Sequence, residues 1–193
     1  MAGRPRVRAE PLDEGVIVET ALTLARRGMS ALTMRSLSNE LQVSVGALYK
    51  HVAGRDELMA LVVEKVLDQV PRVTTGAGDG WLALRAHVLA MQAQMDRYPG
   101  LDGIVMEHSP KSPTANALRR EGMAALQGEG LTSGQAHHVY RAVSWLWLGS
   151  RVALEGRPRR RADIDTFAES LDILISGLRA HMVTETVRAQ EEI

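Results

Sequence analysis

Apolar residues recur every three or four positions along most of the chain, and polar residues stand between them. This spacing places the apolar side chains on one face of a helix, so that the face can pack inward. Short breaks that contain glycine or proline divide the apolar rows into segments. The pattern predicts an all-α protein of about nine helices.

A first predicted helix, from residue 12 or 13 to residue 27, is followed by two short apolar rows between Thr33 and His51. The rows consist of Met34, Leu37, Leu41, Val45, Leu48 and Val52. Thr33 and Ser44 each precede a row, and their hydroxyl oxygens can accept a hydrogen bond from an unpaired N–H group at a helix start. Two helices of about two or three turns, joined by about three or four residues, form a helix-turn-helix.

The polar face of the second short helix would carry small and basic residues. Gly46 and Ala47 allow a helix to approach base edges, whereas Tyr49, Lys50 and His51 can reach phosphates. The same pattern also fits a pair of short helices inside an all-α core, because such helical hairpins are common. From the residues alone, both interpretations stand.

A longer run, from Leu32 to Val66, resembles the DNA-binding domain of the TetR family of transcriptional regulators. Its sequence is LTMRSLSNELQVSVGALYKHVAGRDELMALVVEKV. The resemblance is carried by Thr33, Met34, Arg35, Leu37, Leu41, Val43, Ser44, Leu48, Tyr49, His51, Val52, Arg55, Asp56, Glu57 and Leu58. It is strong from Val16 to about Val70, and the remainder of the chain matches only in architecture.

One position departs from the pattern of the family. The turn between the two short helices usually has glycine where this chain has Gln42. Glycine suits the left-handed backbone conformation that is common at a helix C-terminus, and another residue there costs roughly 1 kcal/mol.

The resemblance implies a three-helix domain that contains the helix-turn-helix, a linking fourth helix, and a C-terminal domain of five helices. The glycine-rich segment 74–80 marks the boundary before the last domain. We therefore predict a flexible basic arm (1–11), a helix-turn-helix domain (12–54), a linking helix (55–72) and a ligand-binding and dimerisation domain (73–193).

The function that the resemblance implies is a ligand-controlled repressor. The partners would be a palindromic double-stranded DNA operator, a second copy of the chain, and a small, largely apolar effector that releases the DNA. Two alternatives remain within regulation: an activator, or a regulator controlled by a partner protein. A third alternative, from another class, is an enzyme that uses the helical cavity.

Ten residues are predicted to contact DNA. They are Thr33, Arg35, Ser44, Val45, Gly46, Ala47, Tyr49, Lys50, His51 and Arg55. Most belong to the second short helix, with Thr33 and Arg35 contributed by the helix before it and Arg55 by the linking helix. Gly46 and Ala47 would meet base edges by shape and by contact with thymine methyl groups.

The fifth to eighth predicted helices would enclose the ligand, as the resemblance implies. Candidates for the cavity wall are Met91, Met95, Met106, Met123, Tyr140, Trp145 and Trp147, since methionine adapts to irregular shapes and aromatic rings offer flat contact area. Each of them also fits an ordinary core position. Trp145 and Trp147 are two residues apart and do not share a helix face, so only one is expected to border a given cavity.

The last two predicted helices are more apolar than a small monomer requires. The resemblance implies that they pair with the same helices of a second copy as a four-helix bundle, with Leu146, Leu171, Leu174, Ile175 and Leu178 as candidate interface residues. The alternative is that both helices are internal core. The eighth helix is apolar nearly all round, which predicts burial from more than one side.

Composition narrows the choice of function and compartment. The chain has 193 residues and no cysteine, which excludes disulfides and thiolate metal sites, and its 23 basic and 23 acidic side chains argue against a non-specific coat on nucleic acid. The basic arm, with Arg4, Arg6 and Arg8, can lie in the minor groove or serve as a solvated tail. The basic run 157–161 is expected to be solvated.

No secretory signal or bilayer-spanning run is present, which predicts a cytoplasmic protein without a membrane partner.

The second predicted domain contains four histidines, which raise the question of a metal site. His137 and His138 are adjacent, so their side chains diverge by about 100° on a helix and do not form a chelating pair. No acidic or cysteine partner stands at ligand spacing from these histidines, which include His87 and His108. We therefore predict no metal and no cofactor. The chain also lacks a nucleophile elbow, a phosphate-binding glycine loop and a zinc motif, although spacing does not test for a triad assembled in three dimensions.

Overall fold

The computed structural model describes residues 12–73, 79–154 and 159–191. The basic arm, most of the glycine-rich segment and the first part of the basic run lie outside these ranges. Within them the regular structure is helical, with α1 (Glu14–Ala25), α2 (Met34–Leu41), α3 (Val45–Leu48), α4 (Arg55–Asp68), α5 (Gly80–Asp96), α6 (Asp102–His108), α7 (Pro113–Gly128), α8 (Ser133–Ala153) and α9 (Arg161–Glu191). Two short 3-10 helices, Met29–Ala31 and Ser109–Lys111, complete it. The predicted all-α class is confirmed.

The predicted caps fix the starts of several helices. Thr33 and Ser44 each accept a hydrogen bond from the backbone N–H group three residues ahead, at 3.0 and 3.1 Å. Ser112 and Thr132 do the same at the starts of α7 and α8. Each of these hydroxyls pairs one of the N–H groups that a helix start leaves without a partner inside the helix.

The larger apolar core joins the N-terminal helices to the rest of the chain. Its fully buried side chains come from α1 to α4, and it continues without a break into Met95, Tyr98, Leu101, Val105 and Leu118 of the following helices. The N–H group of Met29 also donates to the carbonyl of Pro99 at 2.9 Å. The first three helices therefore rest against the turn between α5 and α6.

A second core lies between α5, α7, α8 and α9. It contains Trp81, Leu84, Leu126, Val139, Val143, Phe167 and Leu171. Two ion pairs attach α9 to the start of α5. Arg85 donates to the Asp172 carboxylate through Nε and Nη2, and Arg179 Nη1 lies 2.7 Å from an Asp79 carboxylate oxygen. Asp79 also caps α5 by accepting the N–H groups of Trp81 and Leu82.

The prediction that α8 is buried from more than one side is wrong for the single chain. Ala136, Val139 and Val143 are buried on one face, but Trp145 is 63% exposed and Val152 is 54% exposed on another. On α9, Ile173 is 74% exposed in the same way. An apolar pattern shows which side chains favour burial but not what covers them, and one chain covers only one face of each helix.

Candidate functional site

The pair α2 and α3 is held by apolar contacts on its inner face. Leu37, Leu41 and Leu48 are buried in the larger core, and Val52 joins them just after α3. Because these side chains point inward, the polar residues between them face outward. This packing fixes the angle at which α3 is presented to a partner.

Gln42 occupies the turn between α2 and α3 in the left-handed conformation, with φ 53° and ψ 40°. It is the one non-glycine residue with positive φ among those that the structure describes. Its N–H group donates to the carbonyl of Asn39 at 3.1 Å, and that of Val43 donates to Ser38 at 3.0 Å. The backbone thus adopts the conformation expected of glycine, and a glutamine bears the strain.

The third helix is shorter than the two or three turns predicted. α3 holds four residues, after which the hydrogen bonds span three residues instead of four: Lys50 N–H donates to Ala47, and His51 N–H to Leu48. Val52 N–H again donates across four residues, to Leu48, so the tighter winding is limited to one turn. It leaves Tyr49, Lys50 and His51 exposed one after another.

Eight of the ten predicted DNA contacts are exposed, namely Thr33, Arg35, Ser44, Gly46, Tyr49, Lys50, His51 and Arg55. Val45 and Ala47 are half-buried against the helix pair. Three of the exposed residues have a visible structural role, and one of them is Ser44, which caps α3. The Thr33 hydroxyl is bonded to Ser36 in a reciprocal cap, and Arg55 Nη1 donates to the carbonyl of Leu32 at 2.9 Å.

The hydrogen bond of Arg55 places the start of α4 beside the start of α2. Glu57 adds a second attachment, because its carboxylate accepts the N–H group of Ala53 in the loop after α3. The sequence reasoning gave Glu57 no role. Its position in the first turn of α4, next to an exposed loop N–H group, is the kind of signal that a capping search can find.

A cavity of about 430 Å³ lies among α4 to α8. Its lining is mainly apolar and comprises Leu67, His87, Val88, Met91, Val105, Met106, Ser109, Pro110, Ala115, Leu118, Arg119, Tyr140, Val143, Ser144, Trp145, Trp147 and Leu148. Pockets for small molecules fall in the range of about 300–1,000 Å³. Exposed Trp145 and Met106 are part of its border, so the cavity reaches the surface.

Five of the seven predicted wall residues border this cavity: Met91, Met106, Tyr140, Trp145 and Trp147. The other two do not. Met95 is fully buried in the larger core, and Met123, half-buried on α7, is not among the lining residues.

The expectation that only one of Trp145 and Trp147 would border a given cavity is wrong, since both do. A spacing of two residues describes only where each side chain leaves the helix axis. An indole ring extends far from the axis, so two rings that start on different faces can border one irregular space. Trp145 reaches it from the exposed side of α8, and Trp147 reaches it from the half-buried side.

The cavity wall contains polar atoms without partners among the described residues. His87 is 5% exposed, and its Nδ1 atom has no hydrogen bond, as is also true of Trp147 Nε1. The pKa of His87 is lowered because the effect of burial outweighs that of a hydrogen bond with the backbone of Pro71, which raises it. Burial also raises the pKa of Tyr140, which keeps its phenol protonated.

Gly122 gives the ring of Tyr140 its place beside α7. A Cβ atom added at Gly122 would lie 2.9 Å from Cε2 and 3.3 Å from Cδ2 of that ring. Any larger residue at this position requires the ring to move. Because Tyr140 borders the cavity, the size of the residue at position 122 controls the shape of the cavity wall.

Comparison with known proteins agrees with this arrangement of helices. The model of the bacterial regulatory proteins of the tetR family matches residues 17–62, which span α1 to the middle of α4. A curated HTH-type transcriptional regulator of Saccharopolyspora erythraea is 29% identical over 74% of the chain. The chain spans 61% of the length of that relative.

Two solved structures share both the fold and some sequence. A TetR variant from Acinetobacter baumannii in complex with minocycline has a TM-score of 0.74 and 26% identity, over 89% of this chain and 99% of that one. BioQ in complex with its natural double-stranded DNA operator has a TM-score of 0.72 and 26% identity, over 89% of this chain and all of that one. Residues 17–62 thus resemble the DNA-binding domain of the TetR family of transcriptional regulators. The curated relatives are HTH-type transcriptional regulators.

In this chain, α4 contacts both the helix-turn-helix and the cavity. Leu58 and Met59, near its start, lie in the core with α1 and α2, whereas Leu67, near its end, borders the cavity. Two polar contacts attach its second half to neighbouring helices: Gln94 Nε2 donates to the carbonyl of Val66 at 3.2 Å, and Glu64 accepts from the N–H group of Thr114 at 3.3 Å. Part of the cavity wall therefore belongs to α4 itself.

The candidate interface residues divide into two groups. Leu171 and Ile175 are buried inside the second core of the same chain, so the choice of these two as interface residues is wrong. Their helical spacing identified the apolar row of α9 correctly but not its partner. Leu146, Leu174 and Leu178 are half-buried at the edge of that core.

A buried ion network fastens the ends of α5, α6 and α8 together. Arg151 is 3% exposed, and it binds Asp96 at 2.6 Å and Asp102 through its Nε atom. Arg159 joins the network through Asp96 at 3.1 Å. Since Arg159 is part of the basic run, the expectation that the run is solvated is wrong for this residue. Burial and the neighbouring Arg151 lower the pKa of its guanidinium.

One group of potential metal ligands exists among the described residues. Asp56, Glu107 and His108 have ligand atoms that lie within 4.8 Å of one another. His108 Nε2 is 3.6 Å from an Asp56 carboxylate oxygen. The statement that His108 lacks an acidic partner therefore holds along its helix but not in three dimensions, since Asp56 comes from α4. Both carboxylates are exposed, and exposed acidic groups commonly lie together without an ion.

No helix in the described part of the chain is both long enough and apolar enough to span a bilayer.

Proposed function

We propose that the protein is a homodimeric repressor that a small, largely apolar ligand releases from a palindromic operator. The observation that carries the proposal is the placement of α4. One end of this helix packs on the helix-turn-helix, and Leu67 at the other end forms part of the cavity wall. A molecule in the cavity thus contacts the same rigid element that holds the DNA-binding helices.

The proposed DNA surface consists of α3 and the residues that flank it. Lys50, Tyr49 and His51 are exposed and carry groups that bind phosphate or base edges. Gly46 is exposed and small enough for close approach to bases. The operator complex of BioQ, a chain of the same fold with 26% identity, supports this proposal.

Thr33, Arg35, Ser44 and Arg55 complete the proposed surface from the helix starts. Thr33 and Ser44 also cap their helices, so each has a structural role besides any contact with DNA. The basic arm 1–11 stays a predicted addition to the surface. We propose that the helix-turn-helix domain ends at residue 54 and that the linking helix spans 55–72. The ligand-binding and dimerisation domain then begins at residue 73.

The proposed ligand site is the 430 Å³ cavity. Met91, Met106, Tyr140, Trp145 and Trp147 supply most of its adaptable and aromatic wall, and Leu67, Val88 and Leu118 supply aliphatic contacts. Met95 and Met123 are left out because they do not border the cavity. The minocycline complex of the similar TetR variant supports small-molecule control.

The proposed dimer forms through the outer faces of α8 and α9. Trp145 and Val152 are seven residues apart on α8, which places them on one face, and Ile173 projects from α9. Half-buried Leu146, Leu174 and Leu178 border this surface. Large apolar side chains with this exposure favour coverage by another chain. A two-fold dimer is also what a palindromic site requires, because each half-site is then read by one subunit.

Ligand control requires that the two conformations differ in affinity for both partners. Recognition helices of a dimer enter major grooves about 34–36 Å apart or a multiple of this distance. A tilt of α4 changes that separation. By linkage, the factor by which ligand weakens DNA binding equals the factor by which DNA weakens ligand binding. We propose no catalytic role for the cavity and expect the protein to act in the cytoplasm, where its DNA target lies.

The test begins with selection of double-stranded oligonucleotides by the full chain. The expected product is a motif with two-fold symmetry that binds one dimer in a gel-shift assay. Addition of hydrophobic compounds should then weaken operator binding, and calorimetry should show weaker ligand binding to the protein–DNA complex by an equal factor.

Recovery of an asymmetric motif would contradict the palindromic operator. If no compound weakens DNA binding, ligand control is wrong and control by a partner protein becomes the better proposal. Transcription in vitro from a promoter with the motif separates repression from activation.

A further inference from the structure

The polar atoms of the cavity wall specify the chemistry of the ligand. We infer that the effector is a non-cationic aromatic compound that carries a hydroxyl group, held by hydrogen bonds to the indole of Trp147 and the imidazole of His87. The inference rests on the proposed ligand control, and it adds the chemical class of the molecule and the two atoms that recognise it.

Trp147 provides a hydrogen-bond donor. Its Nε1 atom is buried and has no partner among the described residues, although the ring borders the cavity. Buried N–H groups are nearly always paired in folded proteins, so this unpaired group on a cavity-lining ring is available to a partner that enters the cavity. Because indole nitrogen only donates, the ligand must present an acceptor oxygen or nitrogen to it.

His87 provides a hydrogen-bond acceptor. Burial favours its neutral form, and its hydrogen bond to the backbone of Pro71 must be donated by the imidazole, since proline has no N–H group. Nδ1 is the ring nitrogen without a partner, so Nε2 carries the proton that is donated to Pro71. The remaining nitrogen, Nδ1, is an acceptor and requires a ligand group that donates. A hydroxyl group both accepts and donates, which suits the two orphaned atoms.

The rest of the wall sets the charge and shape of the ligand. None of the lining residues in the described part of the chain is Asp or Glu, and Arg119 at the border is the one that carries a full charge. A cationic ligand would therefore lose its hydration on entering the cavity and find no acidic group in the wall to balance its charge. Three aromatic rings and two methionines surround the space, and such side chains favour flat, polarisable molecules.

Three naphthalenes of similar size separate the two hydrogen bonds. 2-Naphthol can accept and donate, 2-methoxynaphthalene can only accept, and 2-methylnaphthalene can do neither. We expect calorimetry with the full chain to give the tightest binding for 2-naphthol and the weakest for 2-methylnaphthalene. Each hydrogen bond should change the dissociation constant by about two- to ten-fold.

A pair of tryptophan variants assigns one of the bonds to its residue. Trp147→Phe keeps an aromatic ring but removes the N–H group, so the advantage of 2-methoxynaphthalene over 2-methylnaphthalene should disappear. The further advantage of 2-naphthol should remain, because it depends on His87. Trp81→Phe is the matched control: this tryptophan is buried in the second core and does not border the cavity, so its replacement should preserve both steps.

Three results would overturn the inference while leaving the ligand cavity in place. The first is equal affinity of the wild-type chain for the three naphthalenes. The second is an unchanged methoxy advantage in Trp147→Phe, and the third is binding of a trimethyl(2-naphthyl)ammonium cation as tightly as 2-naphthol. If none of these compounds binds, the inference fails as well, whereas the proposed ligand control fails only if no hydrophobic compound weakens operator binding.

Discussion

At the scale of single residues, the DNA-binding region combines exposed polar groups with one strained backbone position. Lys50 lies on the outside of the short turn after α3, where its removal disturbs no core contact. Gln42 lies in the left-handed conformation that glycine adopts without strain. These two positions therefore separate effects on binding from effects on stability.

Replacement of Lys50 by alanine should weaken DNA binding and leave the fold unchanged. If Lys50 neutralises a phosphate, the slope of log affinity against log salt concentration should shrink by about one unit per subunit. Fluorescence anisotropy over a range of salt concentrations measures both quantities. Lys65→Ala is the control, because Lys65 lies on α4 and pairs with Glu19 at 3.2 Å. Equal slopes for wild type and Lys50→Ala would show that Lys50 is only solvated.

Replacement of Gln42 by glycine should stabilise the protein. Glycine removes the strain of positive φ but has more freedom in the unfolded chain, so we expect a gain of up to about 1 kcal/mol in the free energy of unfolding. Glu40→Gly, inside α2 and also exposed, should instead lower it by several tenths of a kcal/mol or more. Urea denaturation of both variants measures the two signs. A loss of stability in Gln42→Gly would mean that the glutamine side chain contributes more than its backbone costs.

At the scale of helices, packing between α7 and α8 shapes the cavity wall, and an ion network fixes the start of α6. The ring of Tyr140 lies against α7 at Gly122, and Asp102, the first residue of α6, binds Arg151 of α8. These contacts set the positions of helices that border the cavity. Variants at each contact test whether helix positions control the ligand site.

Replacement of Gly122 by alanine should alter the cavity. The new methyl group requires the Tyr140 ring to move, and the ring can move into the open space that it borders. We expect ligand affinity to fall by about ten-fold or more, with 2-naphthol as the probe, since about 1.4 kcal/mol of lost contact has that effect. Gly128→Ala on the same helix meets no atom within 4 Å and should leave affinity unchanged. Equal affinities in the two variants would show that Tyr140 moves elsewhere.

Replacement of Asp102 by asparagine should destabilise the protein. Arg151 is almost fully buried and would lose one of its two carboxylate partners, which we expect to cost about 1.5–3 kcal/mol of unfolding free energy. Asp172→Asn breaks a more exposed pair with Arg85 and should cost less than about 1 kcal/mol. Thermal and urea denaturation compare the two variants directly. If Asp172→Asn lowers the free energy of unfolding by as much, the buried Arg151 network stabilises the protein no more than the exposed pair does.

At the scale of the whole molecule, α8 and α9 each pack one face internally and leave apolar residues on another. Trp145, Val152 and Ile173 are the large apolar side chains on those outer faces. The opposite faces belong to the second core. A stable interface of about 1,200–2,000 Å² would cover such a surface.

Replacement of Ile173 by glutamate should convert the dimer into a folded monomer. The side chain is exposed in the single chain, so the subunit itself loses no core contact, whereas a charge inside an interface without a partner is strongly unfavourable. Sedimentation at micromolar concentration measures the state of assembly, and DNA affinity should fall with it. Leu82→Glu is the control, since Leu82 is 62% exposed but lies on α5. A monomeric wild-type protein, or an intact dimer with Ile173→Glu, would contradict the proposed interface.

The sequence determined the local features of this protein. The helical class, the caps at Thr33 and Ser44, and the strained turn at Gln42 were all predicted, because each depends on residues within a few positions of one another. The resemblance to the TetR family was readable for the same reason: its motif is one continuous run. Exposure of the recognition residues also followed from the local alternation of apolar and polar faces.

Only the tertiary structure decided which surfaces meet. Helical spacing found the apolar row of α9 but could not assign Leu171 and Ile175 to the internal core. It likewise gave no signal that Asp56 approaches His108, or that Arg159 joins a buried network with Asp96. These contacts join residues about 50 to 60 positions apart, and side-chain periodicity carries no information about the partner across such distances. The cavity that both tryptophans border is a property of five packed helices and of no single one.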